Sequence, residues 1–97
     1  MSSPRQSDRV PLQCQIEFRR HGGHLYPVDL LDLSLEGCRF SPPVRIEVGE
    51  GFFLRVPGLD SIHATAAWVK EWDVGARFDT PFHPAVFDHV LKKLSGS

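Results

Sequence analysis

Apolar residues fall on alternate positions early in the chain. Val10, Leu12, Cys14, Ile16 and Phe18 alternate with Pro11, Gln13, Gln15 and Glu17, the period of a strand with one buried face. Arg19 and Arg20 close this run, and His21-Gly22-Gly23-His24 supplies a glycine turn. Leu25 to Leu33 reads as a second strand and Gly37 to Phe40 as a short third, ended by Ser41-Pro42-Pro43. After a turn at Gly49-Glu50-Gly51 comes a fourth run, Phe52 to Val56, then a turn at Pro57-Gly58. Ile62, Ala64, Ala66 and Trp68 alternate with His63, Thr65 and Ala67, which predicts a longer strand with Trp68 in the core. Trp72-Asp73 connects to a sixth run, Val74 to Phe78, and Asp79-Thr80-Pro81 breaks the pattern.

The last segment changes period. Val86, Phe87, Val90, Leu91 and Leu94 recur at three- and four-residue steps, one stripe of an amphipathic helix. Pro84 suits its first turn, and Lys92 with Lys93 suit its negative end. Short strands with regular turns, followed by one helix, predict an all-β fold: a small antiparallel six-stranded β-barrel with a C-terminal α-helix. Residues 1–9, rich in Ser and Arg, read as a flexible N-terminal arm, and residues 10–95 as the barrel plus helix.

Composition narrows the function more than the fold. A chain of 97 residues is one domain, and 41% hydrophobic with 24% charged residues is ordinary globular composition. The formal net charge of -1 argues against a grip on long nucleic acid, which takes a basic excess. A compact anion held by a few local arginines remains compatible. Cys14 and Cys38 form no dense disulfide framework, and residues 1–8 lack the apolar segment of a signal peptide. With no apolar run near the ~20 residues that span a bilayer, the expectation is a cytoplasmic protein with two reduced, core-facing thiols and no membrane insertion.

Two polar signatures carry the candidate chemistry. Arg5-Gln6-Ser7-Asp8-Arg9 is an RxxxR pattern just ahead of the first strand, and Asp32-Leu33-Ser34-Leu35-Glu36-Gly37 is a DxSxxG pattern closing the second. Arginine offers a planar, permanently charged fork for phosphate or the O6/N7 edge of guanine. Taken alone, the RxxxR pattern also reads as a solvated basic tail. Asp32 and Ser34, two apart at a strand end, are expected on one face. There a carboxylate can accept from guanine N1–H and N2–H2, and a hydroxyl can bond a base edge or phosphate. Gly37 permits a positive φ or a close approach to a ligand. The alternative for this segment is a turn in which Asp32 or Ser34 bonds its own backbone. Together the two signatures suit a guanine nucleotide carrying phosphates.

In these motifs and their order the chain resembles the PilZ family, whose members bind the bacterial second messenger cyclic di-GMP. Arg5 and Arg9 match the family's RxxxR, and Asp32, Ser34 and Gly37 match its [DN]xSxxG. Trp68-Val69 and Val74-Gly75-Ala76-Arg77-Phe78 are similar to its closing strands, so the likeness runs from Arg5 to Leu94. The resemblance implies that Arg5 and Arg9 hold phosphate and the guanine edge, that Asp32 and Ser34 read guanine, and that Gly37 keeps the loop tight. Glu36 places a charge where the family often has a small residue, which would trim affinity. Pro4 is not a third arginine, which favours one ligand molecule over an intercalated pair.

Other residues read first as structure. His21 and His24 flank two glycines, but with no third ligand nearby they read as an exposed turn, and His63, His83 and His89 are scattered. Trp72 lies by a turn, where it would be exposed and could sit beside the ligand. Arg39 and Arg77 are candidates for a further phosphate contact but read more simply as surface charge. No GxSxG, P-loop, HExxH or oriented Cys–His pair occurs, so no enzyme, no cofactor and no metal are expected. The preferred expectation is a bacterial cyclic di-GMP receptor, monomer or weak dimer, that signals in trans to an unidentified downstream protein. The alternative is an interaction adaptor of the same fold that binds no nucleotide. Single-stranded nucleic acid binding is a weaker third, and no DNA or RNA partner is expected.

Overall fold

The computed structural model describes residues 10–57, 59 and 61–94. Arg5 and Arg9 therefore lie outside the described residues, as do Pro4 and Gly58. Six strands are present: β1 (Val10–Arg20), β2 (Leu25–Leu33), β3 (Gly37–Ser41), β4 (Gly51–Arg55), β5 (Ser61–Lys70) and β6 (Asp73–Phe78). They are followed by helix α1 (Pro84–Leu94). Every pairing is antiparallel, and the order β1-β2-β3-β6-β5-β4 closes on itself. Closure removes the unpaired edges that an open sheet would expose.

The alternation read from the sequence builds the interior. Ile16, Phe18, Val28, Leu30, Phe40, Phe52, Leu54, Ala64 and Ala66 are all buried. At its centre, Phe18 lies 5.8 Å from Phe40 and 5.2 Å from Phe52, and Phe40 lies 5.5 Å from Phe52, centroid to centroid. Such offset and tilted pairs stabilise beyond the area they bury. β1 continues through Arg19 and Arg20, because these residues pair with Phe53 and Phe52 of β4. That pairing is set by a strand thirty residues away, so no local pattern announces it. The glycine turn is closed by the Gly23 amide donating to the Arg20 carbonyl at 2.9 Å, with Gly22 at φ 72°.

Trp68 corrects the sequence reading. It is 37% exposed and faces outward. Between Ala66 and Trp68 the β5–β6 register shifts: Ala66 opposes Ala76, but Trp68 opposes Gly75. Ala67 is thus an extra residue, a β-bulge, and it inverts the alternation beyond it. β2 does the same between Leu30 and Asp32, whose partners are the adjacent residues Phe40 and Arg39. Leu31 is the extra residue there. Asp32, which strict alternation from Val28 and Leu30 would send inward, shares the face of its partner Arg39 and is covered there, while Leu33 is fully buried.

Helix α1 packs its Val90 into the core, with Phe87, Leu91 and Leu94 partly buried around it. The His83 ring accepts from the Ala85 amide through Nδ1 at 3.1 Å and so caps the first turn. Cys14 and Cys38 are not joined in a disulfide; Cys38 is buried and Cys14 partly so, and burial pushes the Cys14 thiol above its ordinary pKa of 9.0.

Candidate functional site

The DxSxxG segment is a rigid corner of the barrel. Ser34 begins the loop after β2, and its amide donates to the Gly37 carbonyl at 2.8 Å. Its hydroxyl donates to the same carbonyl at 3.1 Å and accepts from the Gly37 amide at 3.2 Å. The carbonyls of Glu36 and Leu35 accept from the amides of Phe78 and Phe82, each at 2.8 Å, which ties the loop to the end of β6 and the segment leading to α1. Ser34 is therefore occupied by its own turn and 3% exposed, rather than standing beside Asp32 on an open face.

Gly37 is not needed for a positive φ. Among the described residues the positive-φ glycines are Gly22 and Gly49. What Gly37 provides is space: a Cβ there would lie 2.0 Å from the Ala76 carbonyl oxygen of β6. The close approach is to the neighbouring strand, and it seats the loop on the barrel wall.

Register places the remaining candidates in one row across four strands. Asp32 pairs with Arg39, Arg39 with Gly75, and Gly75 with Trp68. At about 4.8 Å per strand spacing this row runs about 14 Å across the outer wall. The Arg39 guanidinium donates from Nε to Asp32 Oδ2 at 3.0 Å, and its Nη1 lies 3.6 Å from Asp73 Oδ2. Asp32 is only 7% exposed, so Arg39 offsets part of the cost of burying its charge. At the far end the Trp68 indole lies over Gly75, where a Cβ would come within 2.2 Å of the ring. The flanking outward row holds Gly37, Arg77 and Thr65 as mutual partners.

Between these rows lies an open cleft of about 200 Å³, walled by Ser34, Glu36, Gly37, Ala67, Trp68 and Arg77. An exposed indole face, an arginine and a carboxylate around a cleft of that size can hold one flat, polar ring by stacking and hydrogen bonding. Trp68 and Gly75 were missed as site residues. The signal was present, since Ala66-Ala67-Trp68-Val69 and Leu30-Leu31 each set apolar residues side by side, and so interrupt the alternation where the two bulges fall. Trp72 is 66% exposed, but it lines a separate groove with Val44, Ile46 and Val69, away from the DxSxxG loop.

The entry of the chain completes the arrangement. Val10 pairs with Leu33, and Pro11 with Asp32. The start of β1 therefore lies beside the DxSxxG corner.

A family model described as the PilZ domain matches residues 3–94. The chain belongs to the PilZ domain family. PilZ domains are binding and adaptor modules, and the family is a known receptor family for cyclic di-GMP. The fold agrees with a crystal structure of the PilZ domain of CeSA from a cellulose-synthesising bacterium. The two superpose with a TM-score of 0.61 at 17% identity, over 93% of this chain and 97% of that one. No curated protein matches the chain. Among the described residues, no helix of this PilZ domain is long and apolar enough to cross a membrane.

Proposed function

We propose that this PilZ domain binds cyclic di-GMP on the outer wall formed by β2, β3, β6 and β5, and signals in trans to a protein partner. The observation that supports the reading is the pairing of Val10 and Pro11 with Leu33 and Asp32, which sets the start of β1 beside the DxSxxG corner. In this reading Arg5 and Arg9 grip phosphate and the guanine edge with their planar forks. Asp32 reads guanine N1–H and N2–H2, with Arg39 either releasing it or turning to the ligand. Ser34 and Gly37 fix the corner, Trp68 offers its indole face to a base, and Arg77 adds positive charge. Cyclic di-GMP is the ligand, and no cofactor takes part in its recognition.

Calorimetric titration tests this. Saturable heat is expected for the native chain, with Arg9→Ala and Asp32→Ala each lowering affinity at least tenfold while leaving the fold intact by circular dichroism. No heat at high ligand concentration would sink the proposal.

A second reading is an adaptor that binds no nucleotide. The groove of about 820 Å³ beside Trp72 supports it, because exposed Trp72 and Val69 line it with Val44 and Ile46, the kind of apolar surface that protein partners cover. A partner complex that forms equally well with and without cyclic di-GMP would favour this reading.

A further inference from the structure

Outside the cleft at the DxSxxG corner, two histidines meet that are 42 residues apart in the chain. His21, in the turn after β1, and His63, in β5, approach Nε2 to Nε2 at 3.0 Å. On the other side of the His63 ring, Nδ1 lies 2.5 Å from Asp79 Oδ2. The carboxylate accepts there, so the neutral His63 ring carries its proton on Nδ1 and presents a lone pair at Nε2. His21 then fills that position with its own Nε2–H. The Phe53 ring packs 5.1 Å from each imidazole, with the Arg19 guanidinium over it at 4.5 Å. A Cβ at Gly51 would lie 3.0 Å from His63 Cε1 and Nε2, so glycine leaves the room in which this ring sits.

We infer that His21 and His63 form a two-nitrogen site for a divalent transition metal of the zinc type, with Asp79 as the residue that orients His63. A carboxylate behind a histidine whose far nitrogen faces a second imidazole is the arrangement that fixes the tautomer and raises ligand basicity at metal centres. Two nitrogens at about 2.0–2.1 Å from a tetrahedral zinc stand about 3.3 Å apart. The rings need to part by only a few tenths of an ångström as the neutral His21 moves its proton from Nε2 to Nδ1, which frees the Nε2 lone pair for the metal. The glycine turn at Gly22 and Gly23 gives His21 that freedom, and its exposure gives the ion a path in. Among the described residues no three His, Cys, Asp or Glu side chains gather to hold an ion, so water completes the coordination. Imidazole pairs suit Zn²⁺ and Cu²⁺ over Mg²⁺ or Ca²⁺.

The test is titration of chelator-treated full-length protein with Zn²⁺, read by calorimetry and by melting temperature. One equivalent binds and raises the melting temperature of the native chain. His21→Ala and His63→Gln each remove that binding and the thermal shift, and Asp79→Asn weakens affinity about 10–100-fold. His24→Ala and His89→Ala leave it unchanged. Zinc binding that survives both His21→Ala and His63→Gln, or no binding by the native chain, overturns the inference. Neither outcome bears on cyclic di-GMP binding.

Discussion

Two walls of the same barrel are built on different rules. The wall of β1, β4 and β5 that carries His21, Phe53 and His63 keeps an unbroken register, with Arg19 opposite Phe53 and Phe53 opposite His63. The wall of β2, β3, β6 and β5 that carries Asp32, Arg39 and Trp68 is interrupted by extra residues at Leu31 and Ala67. On the regular wall, alternation alone states which way a side chain points. On the bulged wall it states the opposite of what occurs beyond each extra residue. Bulges re-aim side chains beside functional sites, and here they lift a carboxylate and an indole out of core positions into one outward row.

The sharpest way to break this comparison is Gly37→Ala. Its Cβ meets a backbone carbonyl at 2.0 Å, which cannot move without shifting β6. We expect a loss of about 2–3 kcal/mol, read as a fall of about 10 °C or more in melting temperature. A neutral result would mean that the corner is not held as described.

Gly75→Ala sharpens it. The three atoms nearest the new Cβ all belong to the Trp68 ring, a surface side chain that can swing away at a cost of about 1 kcal/mol. Stability is nearly kept, while cyclic di-GMP affinity falls about tenfold and Trp68 fluorescence shifts to the red in a Trp72→Phe background. Unchanged affinity would remove Trp68 from the site and leave the bulge at Ala67 without a functional role.

The smallest effect belongs to Cys14, next to the irregular pairing between Pro11 and Cys14. Its folded-state pKa is raised by burial, so the folded chain favours the neutral thiol. That contribution is fully present below the ordinary value of 9.0 and is lost as pH rises through the higher folded value. Urea denaturation at neutral and alkaline pH should therefore show a decline above pH 9 that is smaller in Cys14→Ala. An equal decline in both would place the alkaline sensitivity elsewhere.

Much of the fold was legible from local pattern. The alternation from Leu25 to Leu33, the glycine turn after β1 and the helical stripe from Val86 to Leu94 each map onto an observed element, because each depends on neighbours in sequence. The strand boundaries that moved, at Arg19, Arg20 and Asp73, moved because distant partners extend the ladders. The DxSxxG corner was legible as a motif but not as a surface. Ser34 proved to be engaged in its own turn, Gly37 to serve a strand contact, and Trp68 to stand outside.

By itself, then, the chain determined a small β-barrel with a C-terminal helix and the residue types of the proposed nucleotide site. Hydrophobic periodicity and turn chemistry act over a few residues and need no long-range information. Tertiary structure decided which residues face each other. The register that sets Asp32 in a row with Trp68, and the closure that sets His21 against His63, follow from pairings between strands far apart in sequence. Each bulge is a single inserted residue whose consequence appears only when its partner strand is counted against it.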